Sequence, residues 1–227
     1  MDATVTPLLA APTLRLGRFR CPPTGAEWGA ENDIGPLAHV VFPERPLTIT
    51  RPRTGPQLGD RNWALLYQPG QRYQRQLVDA DGDECTFVAL SPELYGDLLA
   101  ADRAVPRAFD AGRVLVEDDT WLGYQECLAA AAEGHGRLVE QQLRAVLDEV
   151  LRRPASLHEH SDDAADKTPQ GSDRRVHEAC RVLATHLDER LTLPAVAEAV
   201  GLSTYHFCRL FRATTGLTVH AYRKRLR

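Results

Sequence analysis

The sequence lacks the features that mark membrane proteins, secreted proteins and disulfide-linked domains. No apolar run approaches the roughly 18 residues that a membrane-spanning helix requires, so we expect no membrane contact. The N-terminal apolar run has no basic flank before it, which predicts no signal peptide. The five cysteines are odd in number and widely separated, which argues against a disulfide framework and for a reducing, cytoplasmic compartment.

Common catalytic signatures are missing as well. The sequence contains no G-x-S-x-G nucleophile motif, no Walker phosphate-binding loop and no G-x-G-x-x-G dinucleotide motif. With 43% hydrophobic and 26% charged residues, the composition is that of an ordinary folded protein. A chain of 227 residues is long enough for one or two domains with their own cores.

Acidic and basic residues are unevenly distributed along the chain. Residues 173–227 hold ten Lys or Arg and five Asp or Glu, a net charge of +5. The remaining residues carry −9, so the overall charge of −4 hides a division into an acidic body and a basic C-terminal segment. This division suggests that the C-terminal segment contacts a polyanion, although a solvated basic helix face would give the same count.

The N-terminal part shows the pattern of a β-structure. Apolar or alternating segments recur between Gly and Pro residues, with no helical period between them, which predicts a barrel or a sandwich. The candidate strands span 13–20, 37–42, 47–50, 63–67, 73–78 and 85–90.

Helical periodicity begins after the last candidate strand. Ser91 can cap a helix over 92–101, and two more helices are predicted over 121–132 and 138–151. The last of these carries an apolar stripe, formed by Leu143, Val146, Leu147 and Val150. Such a stripe either packs on the helix's own barrel or forms a homodimer, and the pattern alone favours neither.

Residues 154–172 have no apolar period and are rich in Asp, Ser, Pro and Gly, which predicts a linker between domains 1–153 and 173–227. In the second domain, a helix that starts after Thr192 is ended by Gly201, and Ser203 begins a helix over 204–214. This arrangement is a helix-turn-helix pattern.

The two faces of the helix over 204–214 differ in character. Phe207, Leu210 and Phe211 share an inward face. The opposite face, which would meet base edges in a major groove, carries four residues at i, i+3, i+4 and i+7: Tyr205, Cys208, Arg209 and Arg212.

The run LTLPAVAEAVGLSTYHFCRLFRATTGLTVHAYRKRLR closely resembles the DNA-binding region of the AraC/XylS family of transcription regulators. The N-terminal part is similar, more loosely, to the cupin-type sensory domain of many members. The matching residues there are Pro43, 63–66, 68–70, Tyr73, 83–86 and 90–91. The resemblance implies an α+β protein: a cupin-like β-barrel with C-terminal helices, a linker, and an all-α helix-turn-helix unit.

The resemblance also implies a function. We expect a homodimeric transcription regulator that binds double-stranded DNA and responds to a small-molecule effector, without catalytic residues, metal or cofactor. Carried over residue by residue, it places Tyr205, Cys208 and Arg209 at bases and Thr204 and Arg212 nearer the backbone. The predicted DNA-binding residues are Ser203, Thr204, Tyr205, Cys208, Arg209 and Arg212.

A barrel pocket would be the effector site. The residues on predicted strands that could line it are His39, Trp63, Tyr67 and Tyr73, although ordinary core packing accounts for the same residues. Metal-dependent cupins resemble one another in a pair of histidines followed by a Glu and a further His. Because His39 is the only histidine in 12–91, no metal site is expected, and a metal-independent cupin enzyme is the remaining enzymatic alternative.

Members of the resembled family carry two helix-turn-helix units joined by a long helix. Residues 218–227 resemble the start of that helix, so the pattern predicts a regulator truncated after its first unit. An apolar face on 218–227 should then be exposed. The alternative is a dimerising sensory fragment that binds no DNA.

Overall fold

The structure, a computed structural model, describes residues 2–102, 104–152, 170–187 and 191–226. It divides into two compact units, Met1–Ala155 and Ser156–Arg227. The first is built from β-sheets and helices and the second from helices, so the predicted α+β class is confirmed.

The first unit consists of strands followed by helices along most of its length. Its strands are β1 (Thr4–Ala10), β2 (Leu14–Cys21), β3 (Glu31–Asp33), β4 (Ala38–Pro43), β5 (Leu47–Arg51), β6 (Gly55–Gly59), β7 (Trp63–Tyr67), β8 (Arg72–Leu77), β9 (Asp83–Leu90) and β10 (Arg113–Leu115). Its helices are α1 (Pro92–Ala101), α2 (Ala104–Ala111), α3 (Asp118–Ala132) and α4 (Gly136–Arg152).

The strands form two antiparallel sheets. The larger sheet has the order β1-β2-β9-β4-β7-β10, and the smaller has the order β3-β8-β5-β6. Val41 and Leu65 of the larger sheet pack in one apolar cluster with Leu47 and Ile49 of the smaller sheet. The two sheets therefore face each other, as the predicted barrel or sandwich requires.

The larger sheet is buried on both faces, because successive side chains of a strand point to opposite sides. Val40 and Leu66 belong to the main core, which joins this sheet to the helices. Val41 and Leu65, one position away on the same strands, face the smaller sheet. This double burial explains why all five residues of β7 are apolar and buried.

The apolar stripe of α4 belongs to this main core. Leu143, Leu147 and Val150 are almost completely buried, and Val146 is 8% exposed. The sequence allowed this stripe either to pack on its own domain or to form a homodimer, and the structure shows that it packs on its own domain. It is not available as a dimer surface, because a second chain has no access to it.

Four strands and one helix were not predicted from the sequence. Strand β1 contains Pro7 and is paired on one side only, and β6 has the sequence GPQLG. Strands β3 and β10 have three residues each, and α2 contains Pro106. Local signals are weak in these segments, so pairing and packing decide their conformation.

The second unit contains four helices within its described residues: α5 (Gln170–Thr185), α6 (Leu193–Ala199), α7 (Thr204–Thr215) and α8 (Val219–Leu226). Helix α5 begins inside the segment 154–172, so the last residues of the predicted linker are helical. The rest of that segment, 154–169, lies outside the described residues.

Candidate nucleic-acid interface and ligand cavity

A cavity of about 220 Å³ lies between the two sheets of the first unit. His39, Tyr67 and Tyr73, three of the four predicted effector residues, line it together. Trp63 does not line it. It lies on β7 four residues before Tyr67, about 13 Å along the strand, and the Arg113 guanidinium covers its ring at 4.2 Å.

His39 contributes a neutral imidazole to the cavity. Its Nδ1 lies 2.9 Å from the carbonyl oxygen of Leu37, which can only accept, so the proton of the neutral ring lies on Nδ1. Burial lowers the pKa of His39, which favours this uncharged form. The other ring nitrogen, Nε2, is therefore a hydrogen-bond acceptor.

Tyr67 and Tyr73 form an aromatic corner of the cavity. Their rings are 5.0 Å apart in an edge-to-face arrangement. Burial raises the pKa of both phenols, so both hydroxyl groups remain protonated at neutral pH. The guanidinium of Arg51 lies 4.4 Å from the centre of the Tyr67 ring.

A buried ion pair in the cavity wall was not predicted from the sequence. Arg75 Nη1 donates to Asp83 Oδ2 at 3.1 Å, and Arg75 Nη2 donates to the Tyr73 hydroxyl at 3.1 Å. Burial raises the pKa of Asp83 to about 6. In the sequence, Asp83 is part of a turn signal and gives no indication of burial. For Arg75 the one signal is its spacing of two residues from Tyr73 on β8, which places both side chains on the same face of the strand.

The part of the chain that the structure describes contains neither a metal-binding cluster nor a membrane-spanning helix. No three His, Cys, Asp or Glu side chains are grouped there so that they could hold a metal ion. No helix in the same residues is both long and apolar enough to cross a bilayer. The five cysteines are free thiols, of which only Cys208 is partly exposed.

The turn of the second unit is built from local signals. Thr192 Oγ1 caps α6 by accepting from the Ala195 N–H at 3.4 Å, and Ser203 Oγ caps α7 by accepting from the His206 N–H at 3.4 Å. Between these helices Gly201 adopts φ +66°, a left-handed conformation that glycine reaches without strain. The Leu202 N–H then donates to the Ala197 carbonyl at 2.9 Å and closes the turn.

Aromatic packing determines which face of α7 points inward. Phe207 and Phe211 are fully buried, with their rings 5.5 Å apart, and Leu210 is half-buried. The ring of Tyr222 on α8 meets Phe211 at 5.3 Å. With these rings inside, the opposite side of α7 faces solvent.

Helix α8 completes the packing of the unit. Three of its apolar residues, Val219, Tyr222 and Leu226, are buried. The apolar face that the sequence predicts to be exposed is therefore covered over the described part of α8. Arg223 donates from Nη1 to the Leu191 carbonyl at 3.0 Å and so holds the loop before α6.

Residues 183–224 match the family described as bacterial regulatory helix-turn-helix proteins, AraC family. The C-terminal unit carries an AraC-family helix-turn-helix. The match spans α6, α7 and most of α8, together with the end of α5. No curated protein is significantly similar to the chain in sequence.

Solved structures that match the chain include regulators and a cupin domain. Apo ToxT K231A from Vibrio cholerae strain SCE256 is 8% identical, with a TM-score of 0.45 over 96% of this chain and 100% of ToxT. The AraC-like transcriptional activator CuxR is 13% identical, with a TM-score of 0.43 over 93% of this chain and 74% of CuxR. A cupin domain from Bordetella pertussis Tohama I is 16% identical, with a TM-score of 0.32 over 40% of this chain and 94% of that domain. Similarities at this level do not bear on function.

The predicted DNA-binding residues of the AraC-family helix-turn-helix differ in exposure. Tyr205 is 79% exposed, and Arg209 and Arg212 are exposed beside it. Among the described residues neither arginine forms an ion pair, so Arg209 is not held by Glu198. Ser203, which caps α7, is exposed, and Thr204, the first residue of α7, is half-buried.

The exposure of two residues of α7 differs from the sequence prediction. Cys208 is half-buried, because it follows Phe207 on the helix and lies at the edge of the exposed face. His206 is not among the residues predicted from the sequence, yet its side chain is exposed beside that of Arg209. The sequence did contain a signal for this position. His206 lies three residues before Arg209, and residues three apart share one side of a helix.

Proposed function

We propose that this chain is a sequence-specific DNA-binding transcription regulator that responds to a small-molecule effector and acts in the cytoplasm. The observation that carries the proposal is the AraC-family helix-turn-helix, whose α7 presents Tyr205, Arg209 and Arg212 to solvent on one side. Exposed arginines that form no ion pair with any described residue are suited to a polyanion.

Helix α7 is the element that would enter the major groove. Arg209 lies in the middle of its outward face, and a guanidinium matches the O6 and N7 acceptors of guanine. Tyr205 and His206, one turn earlier, would meet the neighbouring base pairs. Arg212, one turn later at the edge of this face, would contact phosphate, and Cys208 would reach only the rim of the contact.

The effector would occupy the cavity between the sheets of the first unit. His39, Tyr67 and Tyr73 supply polar groups in a mostly apolar wall, which is the usual composition of a small-molecule site. Trp63 is replaced in this proposal by Arg75, which lines the cavity where Trp63 does not.

We also propose that the regulator is a homodimer, through the outer side of α3 and α4 rather than through the buried stripe. Two large apolar residues are exposed there: Leu122 at 60% and Leu138 at 54%. Single exposed leucines are common on protein surfaces, so the proposal of a homodimer rests on the family resemblance, and these two positions are where it is tested.

Selection from a random library of DNA duplexes tests the proposal. The full chain should enrich one sequence motif, and fluorescence anisotropy should show that its affinity for that motif falls steeply between about 50 and 200 mM salt. Retention of no duplex at the lower salt concentration would instead identify a sensory fragment that does not bind DNA. Retention without sequence enrichment would contradict the assignment of α7 to base readout.

A further inference from the structure

The cavity of the first unit is small and mostly apolar. Its volume of about 220 Å³ is below the range of roughly 300–1,000 Å³ that is typical of sites for drug-sized ligands. Phe19, Phe87 and Leu65 provide apolar walls, so a ligand needs an apolar body of about one ring. The charges around the cavity then decide which polar group such a ligand carries.

Arg75 is the cation in the wall of the cavity, and it is only partly neutralised there. Asp83 pairs with one of its terminal nitrogens and the Tyr73 hydroxyl accepts from the other. Each terminal nitrogen carries a second N–H, so the guanidinium has donors left for a ligand. Asp33 also lines the cavity, but it is exposed to solvent and accepts from the Gly35 N–H at 2.6 Å.

A second guanidinium lies behind the same aromatic corner. Arg51 is 2% exposed, and its charged group stacks on the Tyr67 ring. It donates to the Gln57 side-chain oxygen at 2.8 Å and interacts favourably with the Tyr67 hydroxyl, whereas its Nε and Nη2 form no hydrogen bond within the described residues. No described carboxylate forms an ion pair with Arg51, and an arginine does not lose its proton to escape this cost.

The two buried arginines are therefore not equally neutralised. Asp83 pairs with Arg75, whereas no described carboxylate forms an ion pair with Arg51. The other buried carboxylate of the described chain, Asp60, does not line the cavity. An excess buried positive charge in a medium of low dielectric is unfavourable until an anion approaches it. A neutral ligand would leave this excess unchanged, and a cationic ligand would increase it.

We propose that the cavity binds a small monoanion, a carboxylate with an apolar ring-sized body, whose charge pairs with Arg75 and offsets that of Arg51. This inference rests on the proposed effector site and adds the chemical class of the effector. The carboxylate accepts from the free N–H groups of Arg75 and from the hydroxyl of Tyr67. The ring fills the apolar part between Phe19, Leu65 and Phe87.

Three cyclohexyl compounds that differ in charge test the charge of the ligand, and acetate tests the need for an apolar body. The full chain is titrated at about pH 7.5, where Asp83 is ionised, with cyclohexanecarboxylate, cyclohexanecarboxamide, cyclohexylmethylamine and acetate. Thermal unfolding and calorimetry should show binding of cyclohexanecarboxylate, with affinity for the amide lower by about tenfold or more. The amine should not bind, and acetate should not bind because it lacks the apolar body.

Variants separate this proposal from simple filling of a hydrophobic hole. Asp83→Asn removes the competing carboxylate and should increase the affinity for cyclohexanecarboxylate by about tenfold, and by more than it changes the affinity for the amide. Arg51→Met should weaken the carboxylate and not the amide, although Arg51 does not line the cavity. Arg75→Gln should abolish the preference for the carboxylate. Near-ultraviolet circular dichroism of each variant checks that the unit is folded.

The results that would overturn the proposal differ from those that would overturn DNA binding. Equal or tighter binding of the amide or the amine contradicts the anionic class. Binding of none of the four probes contradicts it as well, even when the same preparation selects a DNA motif. Conversely, tight binding of cyclohexanecarboxylate by a chain that retains no duplex supports the ligand class and contradicts the regulator.

Discussion

The ring of Phe211 meets the ring of Tyr222 at 5.3 Å and at an angle of 87°, so the end of α7 is joined to α8 by an edge-to-face aromatic contact. Both rings are fully buried. Because the ring of Phe207 also lies 5.5 Å from that of Phe211, this one side chain contacts both of the other buried rings of the second unit.

Phe211→Ala should therefore unfold the second unit. Truncation of a buried phenylalanine costs about 3–5 kcal/mol, which is comparable with the whole stability of so small a unit. Circular dichroism should show a loss of helix with the first unit's thermal transition intact, and DNA binding should disappear. The matched control is Tyr205→Ala, which removes an exposed ring and should leave the helical signal unchanged.

Arg209→Ala tests base readout by α7. It should cost about 1–3 kcal/mol on the selected motif, and repeating the selection should show a relaxed preference at one base pair. Random DNA should be bound almost as before. An equal loss on the motif and on random DNA would identify Arg209 as a phosphate contact and move the readout to Tyr205 and His206.

Arg212→Ala tests whether this arginine contacts the phosphate backbone. If this residue contacts phosphate, affinity should fall by a similar factor on every sequence, and the slope of log affinity against log salt should decrease by about one. A change in the selected motif with an unchanged slope would contradict this role.

Substitution of a buried leucine on α4 and of an exposed leucine on α3 distinguishes the core from the proposed dimer surface. Leu147→Glu places a carboxylate at a position that is 1% exposed and should unfold the first unit. Leu122→Glu, on the exposed side of α3, should leave the thermal transition in place and shift sedimentation from dimer to monomer. A folded Leu122→Glu protein that still sediments as a dimer, or a parent protein that is monomeric at high concentration, would contradict the proposed interface.

Asp83 should give the first unit a stability that depends on pH. Burial raises the pKa of its carboxyl from 3.8 to about 6, which the attraction of Arg75 and Arg45 opposes and Glu84 supports. The folded state thus holds this proton more tightly than the unfolded state does. The contribution of Asp83 is fully present below about pH 4 and is lost as the pH rises to about 6.

Urea unfolding of the parent and of Asp83→Asn at pH steps between about 4 and 7 measures this effect. The stability of the parent relative to the variant should decrease with rising pH, by on the order of 1–3 kcal/mol in total. His39 titrates in both proteins and cancels in the difference. A difference that grows with pH would show that the attraction of Arg75 outweighs burial.

Local signals were sufficient for the helix-turn-helix. Thr192, Gly201 and Ser203 act on backbone groups within four residues of themselves, so their positions in the chain already specify where α6 ends and α7 begins. The main strands followed equally from alternation and from flanking Gly and Pro. In contrast, β1 and β10 are strands because they pair with β2 and β7, and no local sequence pattern predicts this pairing.

The candidate sites show the same difference. The sequence by itself determined the inward rings and the outward arginines of α7, because helical period alone separates the two faces, and it selected three of the residues that line the cavity. The tertiary structure alone decided that Trp63 lies outside the cavity and that the stripe of α4 is core. It also decided that Arg75 meets Asp83 while Arg51 meets no carboxylate of the described residues. Charge balance in a buried site depends on which strands become neighbours, and sheet order is a property of the whole chain rather than of any segment.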